Sequence, residues 1–138
     1  MTKKAITFGV FDLLHYGHFE LFRRIRQLVG PDGEVIVMLQ KDEWVQKFKD
    51  VKLIYDYEMR KSMIETLRTV TRVLPYESVG IDAVKDVDFN VLVRGPEHNS
   101  ERFLELSDWC ERNGKSCIIL PRTDGISTTS LKQTIKEM

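Results

Sequence analysis

"AITFGVFDLLHYGHFELFRRIRQL", residues Ala5–Leu28, is the stretch that decides the fold. Its apolar opening, Ala5–Phe8, stops at Gly9. A turn follows that carries Asp12, His15, Gly17 and His18. Beyond it Phe19, Leu21, Phe22, Ile25 and Leu28 recur at helical spacing. A short apolar run, a glycine and then an amphipathic segment read as a buried strand feeding a helix. Two of the three histidines of the chain sit in that strand-to-helix turn.

The same unit repeats along the chain. After the break "GPDG", the run "EVIVMLQ" reads as a second buried strand and "DEWVQKFK" as a short helix, followed by a polar, lysine-bearing loop. Asp56 can cap a helix predicted from about Tyr57 to Arg68, with Met59, Met63, Ile64 and Leu67 on one face. "RVLPY" is a third strand, "VGIDAVKDV" a short helix, and "FNVLVRG" a fourth strand that again ends at glycine. "SERFLELSDWCERNG" has the serine start and glycine stop of a helix. "KSCIILP" is a fifth strand, and "TDGISTTSLKQTIKEM" begins as a loop and ends as a helix. Strand then helix, five times over, predicts one α/β domain spanning residues 1–138. The expected architecture is a Rossmann-like, doubly wound, mostly parallel five-stranded sheet with helices on both faces. Ligands of such sheets bind outside the carboxyl ends of the strands. The segments Asp12–His18 and Arg122–Thr129 both follow strands at that edge, and Lys47–Lys52 and Arg60 can fold over it.

Composition narrows the function. A chain of 138 residues can bury on the order of two-thirds of its unfolded surface. Lysine plus arginine and aspartate plus glutamate number 21 each, so the net charge is zero. That argues against a general nucleic-acid binder, which needs an excess of cations. No apolar run approaches the roughly 20 residues of a membrane span, and the N-terminus lacks the apolar segment of a signal peptide. A cytoplasmic protein without a membrane or nucleic-acid partner is the expectation. Cys110 and Cys117 make no disulfide framework and lack metal-ligand spacing, so both are expected reduced and mostly buried.

His15 and His18 flank the start of the first helix, with Gly17 allowing close approach. The first amides of a helix are unpaired and favour an anion, and imidazoles beside them can donate to phosphate oxygens. Attack of one phosphate on another needs no base, because the nucleophile is already anionic. The site must supply alignment and charge stabilisation. For a lone H-x-x-H, a capping and a surface histidine would be the better account. Zinc lacks a nearby cysteine or carboxylate set. Near the other end, Ser127, Thr128 and Thr129 bring three hydroxyls to a second helix start, preceded by Arg122 and Thr123. One hydroxyl would suffice for an ordinary cap.

"GVFDLLHYGH" resembles the G-x-F-D-x-x-H-x-G-H signature of the cytidylyltransferase-like nucleotidyltransferases. "RTDGISTTSLK" resembles their R-T-x-G-I-S-T-T segment. The resemblance spans nearly the whole chain, including "YDYEMRKSMIETLR", and is nearest to small single-domain members acting on glycerol phosphate. It implies transfer of CMP from CTP to a small phosphorylated alcohol, with release of pyrophosphate. The product would be a CDP-alcohol for surface-polymer synthesis. It also implies Mg²⁺ bridging the nucleotide phosphates, with no metal site of the protein's own, and a homodimer.

By the same resemblance, His15 and His18 contact the phosphates and stabilise the transition state. Gly9, Val10 and Phe11 offer backbone to the nucleotide, with Val10 standing where related members often have threonine. Arg94 and Gly95 lie beside the base or ribose, and Arg122, Thr123, Ile126, Ser127, Thr128 and Thr129 complete the nucleotide site. Lys49, and after it Lys47, grips triphosphate and acceptor phosphate from a loop. Lys49 and Arg122 join the histidines as catalytic candidates. Asp12 shapes the turn on the acceptor side. Arg60 binds acceptor phosphate or braces the site, and Arg68 on the same helix and His98 complete the acceptor set.

One segment departs from the pattern. "VRGPEHNSERF" carries Arg94-Gly95-Pro96-Glu97-His98 where glycerol-phosphate enzymes have an acidic, tryptophan-containing M-G-D-D-W. V-R-G resembles adenylyltransferases of the same superfamily, which keeps open ATP as donor with a cofactor precursor or sugar phosphate as acceptor. A catalytically inactive, nucleotide-binding regulatory protein is the reading from another class.

Overall fold

A computed structural model of the chain describes residues 3–49, 52–96, 98, 100–121 and 136. Five parallel strands form one sheet in the order β3-β2-β1-β4-β5. They are β1 (Lys4–Gly9), β2 (Glu34–Gln40), β3 (Arg72–Tyr76), β4 (Val91–Arg94) and β5 (Ser116–Ile119). The helices are α1 (Tyr16–Val29), α2 (Asp42–Lys49), α3 (Tyr57–Glu65), α4 (Ile81–Val84) and α5 (Glu101–Arg112). The doubly wound α/β architecture read from the sequence is therefore present. Among the described residues no helix is long and apolar enough to cross a membrane.

The continuous apolar strands follow from burial on both faces. Successive side chains alternate between two packed layers. Ile6, Phe8, Ile36, Met38 and Leu92 pack with Val84, Phe103, Leu106 and Cys110 under α4 and α5. Ala5, Val35, Val91 and Val93 pack with Ile25 and Val29 of α1. Val37 and Leu39 meet Phe11, Phe22, Ile64 and Val73 under α1 and α3. Cys110 is fully buried, and that burial pushes its thiol pKa up to about 11. Both cysteines are free thiols, and Cys117 is only partly buried.

Strand order places the site. The chain winds from β1 outward through β2 to β3, then returns to lay β4 on the other side of β1. The winding reverses between β1 and β4, the kind of place where a crevice opens at the carboxyl edge. The turn Val10–His15 leaves β1 at that edge and the segment from Gly95 leaves β4 there. Leu120 N donates to Arg94 O at 2.9 Å, so the chain reaches Pro121 at the same edge beside β4.

Two elements depart from the sequence reading. Helix α3 ends at Glu65, short of the predicted Arg68, because its last turn tightens. Thr66 N donates to Met63 O, and the Thr66 hydroxyl donates to the same carbonyl at 2.6 Å. The inward face of α3 is also not the expected methionine face. Met59 is 53% exposed while Arg60 is fully buried, in phase with Ile64. The C-terminal loop and helix, including Arg122, Thr123, Ile126, Ser127, Thr128 and Thr129, lie outside the described residues, with Lys136 alone described there, as helix.

Candidate active site

The turn after β1 is built around a strained phenylalanine. Phe11 adopts a positive φ of 49°. This left-handed conformation costs an L-residue roughly 1–2 kcal/mol. Burying a phenylalanine ring stabilises by about 1.5–3 kcal/mol, which offsets that strain. The ring is 8% exposed and packs beside Phe22, with centroids 5.3 Å apart, and edge-on to His18 at 5.0 Å. It also explains Gly9, since a Cβ there would stand 2.5 Å from the Phe11 ring. The turn is thus shaped before any ligand enters.

His15 is the N-cap of α1, with extended backbone at φ −143° and ψ 176°. Gly17 N donates to His15 Nδ1 at 3.0 Å, and His15 N donates to His18 Nδ1 at 3.3 Å. The two rings stack with centroids 3.8 Å apart and planes 24° from parallel. A main-chain N–H can only donate, so each Nδ1 is an acceptor. A neutral imidazole has one donor and one acceptor nitrogen, so in both rings the proton sits on Nε2. The reciprocal capping therefore fixes two neutral rings with Nε2–H donors.

This revises the expectation of a helix start with open amides. The N–H groups of His15 and Gly17 are taken by imidazoles, and those of His18 and Phe19 donate to His15 O at 3.0 and 3.2 Å. Imidazole N–H groups, more than helix amides, are the donors this turn fixes in place.

Asp12, 4% exposed, does more than shape its own turn. Its carboxylate accepts from Ile54 N at 2.8 and 3.1 Å and from Tyr55 N at 2.9 Å. It ties the segment before α3 to the end of β1. Arg60 makes the second tie. Its Nε donates to Tyr55 O at 3.1 Å, Nη1 to Val10 O at 2.8 Å and Nη2 to Gln40 O at 2.9 Å. Nη2 also pairs with the Asp42 carboxylate. Asp42 accepts in turn from Tyr57 N at 3.1 Å. Of the two roles expected for Arg60, its surroundings fit bracing: the guanidinium is buried and aimed at protein acceptors. Sequence reasoning missed Asp42, Gln40 and Tyr55 as its partners. The readable signal was an arginine four residues before Ile64 on an otherwise apolar helix face.

The other candidates divide by position. Lys47 and Lys49 belong to the last turn of α2 rather than to a loop, and Lys47 Nζ lies 4.7 Å over the Trp44 ring. Arg68 is exposed beyond α3, where the chain returns to the amino edge of the sheet to start β3. The fold does not bring it to the β1/β4 crevice within one chain. At the end of β4, Arg94 Nη1 donates to His98 O at 2.7 Å, and Gly95 N approaches His98 Nδ1 at 3.4 Å. The His98 ring stacks on Phe103 with centroids 4.5 Å apart, so it is anchored rather than a free loop side chain. Glu97 lies outside the described residues.

No group of three or more His, Cys, Asp or Glu residues able to hold a metal occurs among the described residues. The Asp12 carboxylate already accepts main-chain amides.

A model of the family described as cytidylyltransferase-like matches residues 6–134. A glycerol-3-phosphate cytidylyltransferase from Staphylococcus aureus is 44% identical over 135 residues, covering 96% of this chain and 95% of that protein. An FAD synthase from Methanopyrus kandleri is 31% identical, covering 99% of this chain and 89% of that protein. A solved structure, a lipopolysaccharide core biosynthesis protein from Thermoplasma volcanium, superposes with a TM-score of 0.69 at 22% identity. It covers 89% of this chain and 98% of that one, and shares the fold.

Proposed function

The chain belongs to the cytidylyltransferase-like family, and on that premise we propose that it transfers CMP from CTP to glycerol phosphate or a related polyol phosphate. The observation that carries this reading is the pair of stacked imidazoles, each held as an Nε2–H donor at the carboxyl edge of β1. An oxygen of the acceptor phosphate attacks the α-phosphorus of CTP in line. The α–β bridging bond breaks and pyrophosphate leaves with its electron pair. His15 and His18 donate to phosphate oxygens whose charge rises in the transition state, and neither accepts a proton.

Gly9, Val10 and Phe11 line the nucleotide with backbone. Arg94 and Gly95 flank it from β4, and by the family resemblance Arg122, Thr123, Ile126, Ser127, Thr128 and Thr129, which lie outside the described residues, are assigned to the same nucleotide. Lys47 and Lys49 supply charge to the triphosphate and acceptor from α2. The phosphates of the bound nucleotide would hold Mg²⁺, which would supply neutralisation of their charge. The reading includes a homodimer in the cytoplasm, in line with two free thiols and with the family.

One observation supports a second donor. Arg94-Gly95 replaces the acidic segment of glycerol-phosphate enzymes, and an FAD synthase is among the relatives. Purified protein with Mg²⁺ and glycerol phosphate is expected to release pyrophosphate with CTP and far less with ATP. Faster release with ATP and a cofactor precursor or sugar phosphate would select the adenylyl reading. CTP bound without turnover on any phosphorylated alcohol would point to the regulatory one.

A further inference from the structure

Gln40 closes β2 and Arg94 closes β4, and both strands flank β1. Alternation continues the Ile36–Met38 face into Gln40 and the Leu92 face into Arg94, the side of the sheet covered by α5. Gln40 is 5% exposed. Its Nε2 donates to Glu77 O at 2.8 Å, which fixes the amide's orientation and leaves Oε1 buried without a partner among the described residues. Arg94 spends Nη1 on His98 O at 2.7 Å, while its Nε is buried without a partner among the described residues. Buried polar atoms are nearly always paired, so two orphans at one sheet edge call for a common explanation. A single strand separates them, about 10 Å between the outer strand axes. Phe8 of β1 and Phe103 of α5, with ring centroids 5.9 Å apart, form an apolar floor on this side.

One orphan accepts and the other donates. A phosphate or carboxylate would satisfy Arg94 Nε and be repelled by Gln40 Oε1. An ammonium would do the reverse. A hydroxyl both donates and accepts, and a pair of hydroxyls can meet both atoms. We propose that Gln40 Oε1 and Arg94 Nε form a hydroxyl-recognition subsite on the α5 side of the end of β1. It rests on the nucleotidyl-transfer reading and adds to it a requirement for hydroxylated substrate. Both atoms are buried in the free protein. The hydroxyls come from the ribose of the nucleotide or from the polyol acceptor.

The experiment compares kcat/KM for two substrate pairs: CTP against 2′-deoxy-CTP, and glycerol phosphate against propanediol phosphate. These are measured in the natural protein, Gln40→Met and Arg94→Lys. The natural protein is expected to prefer the hydroxylated member of one pair by about tenfold or more, the scale of one well-placed hydrogen bond. Both variants bring that ratio close to one, and the pair that responds identifies the source. Should Gln40→Met not fold, Arg94→Lys decides alone, since it keeps the charge and removes Nε. Unchanged ratios in a variant that still transfers nucleotide overturn the subsite and leave the function standing. No transfer by the natural protein to any polyol phosphate overturns the function and the subsite with it.

Discussion

His18→Asn lowers turnover by about 10²–10³-fold, the scale of losing one donor that acts chiefly in the transition state. Asparagine is chosen for its geometry. Its side-chain oxygen can take the place of Nδ1 and still accept from His15 N, while the Nε2–H donor disappears. The cap is worth about 1 kcal/mol, so stability stays within that margin when it is kept. His18→Gln is the complement, because its amide reaches toward the position of Nε2 and loses the cap. Turnover near the natural level in folded His18→Asn would remove His18 from the chemistry and leave it as a helix cap.

Arg60→Leu destabilises the fold by about 3–5 kcal/mol, the scale of leaving three poorly hydrated carbonyls without donors at roughly 1–3 kcal/mol each. The Asp42 side chain is 36% exposed, so little of that loss comes from the stranded carboxylate. Most comes from the carbonyls of Val10, Gln40 and Tyr55, which lose their donors in places water reaches poorly. Against a typical total of about 5–15 kcal/mol, that is a large fraction. Arg60→Lys does not rescue it, since one ammonium cannot reach acceptors in three directions. The measurement is the urea midpoint at constant slope. A loss below about 1 kcal/mol would show that the four segments are held together by other contacts.

What the sequence made legible follows from what is local. The strands read correctly because a sheet buried on both faces demands unbroken apolar runs, and β1, β2 and β4 have them. The helix starts read correctly because Asp56 and Ser100 cap with their own side chains, accepting from Met59 N and Phe103 N. The end of α3 did not, since Leu67 kept the apolar period after the helix had tightened into a turn. Bracing by Arg60 was one of the two roles read for it, but its partners resisted reading for a different reason. They come from the turn after β1, from β2, α2 and the segment before α3, up to 50 residues away in sequence. No local pattern announces such a set. The histidine pair was legible as a motif, but its reciprocal capping was not, because imidazole is an unusual cap. The orphan atoms of Gln40 and Arg94 become visible only once the strand order sets β2 and β4 on either side of β1.

In the proposed reaction two neutral imidazoles present Nε2–H to a nucleotide's phosphates. Long-range ¹H–¹⁵N NMR of the histidine rings, recorded before and after adding CTP with Mg²⁺, tests it most directly. The Nε2–H tautomer is expected for both His15 and His18 in the free protein, with the Nε2 resonances of both moving as nucleotide binds. Nδ1–H in either ring, or nucleotide bound at saturation with both Nε2 resonances unmoved, would contradict it.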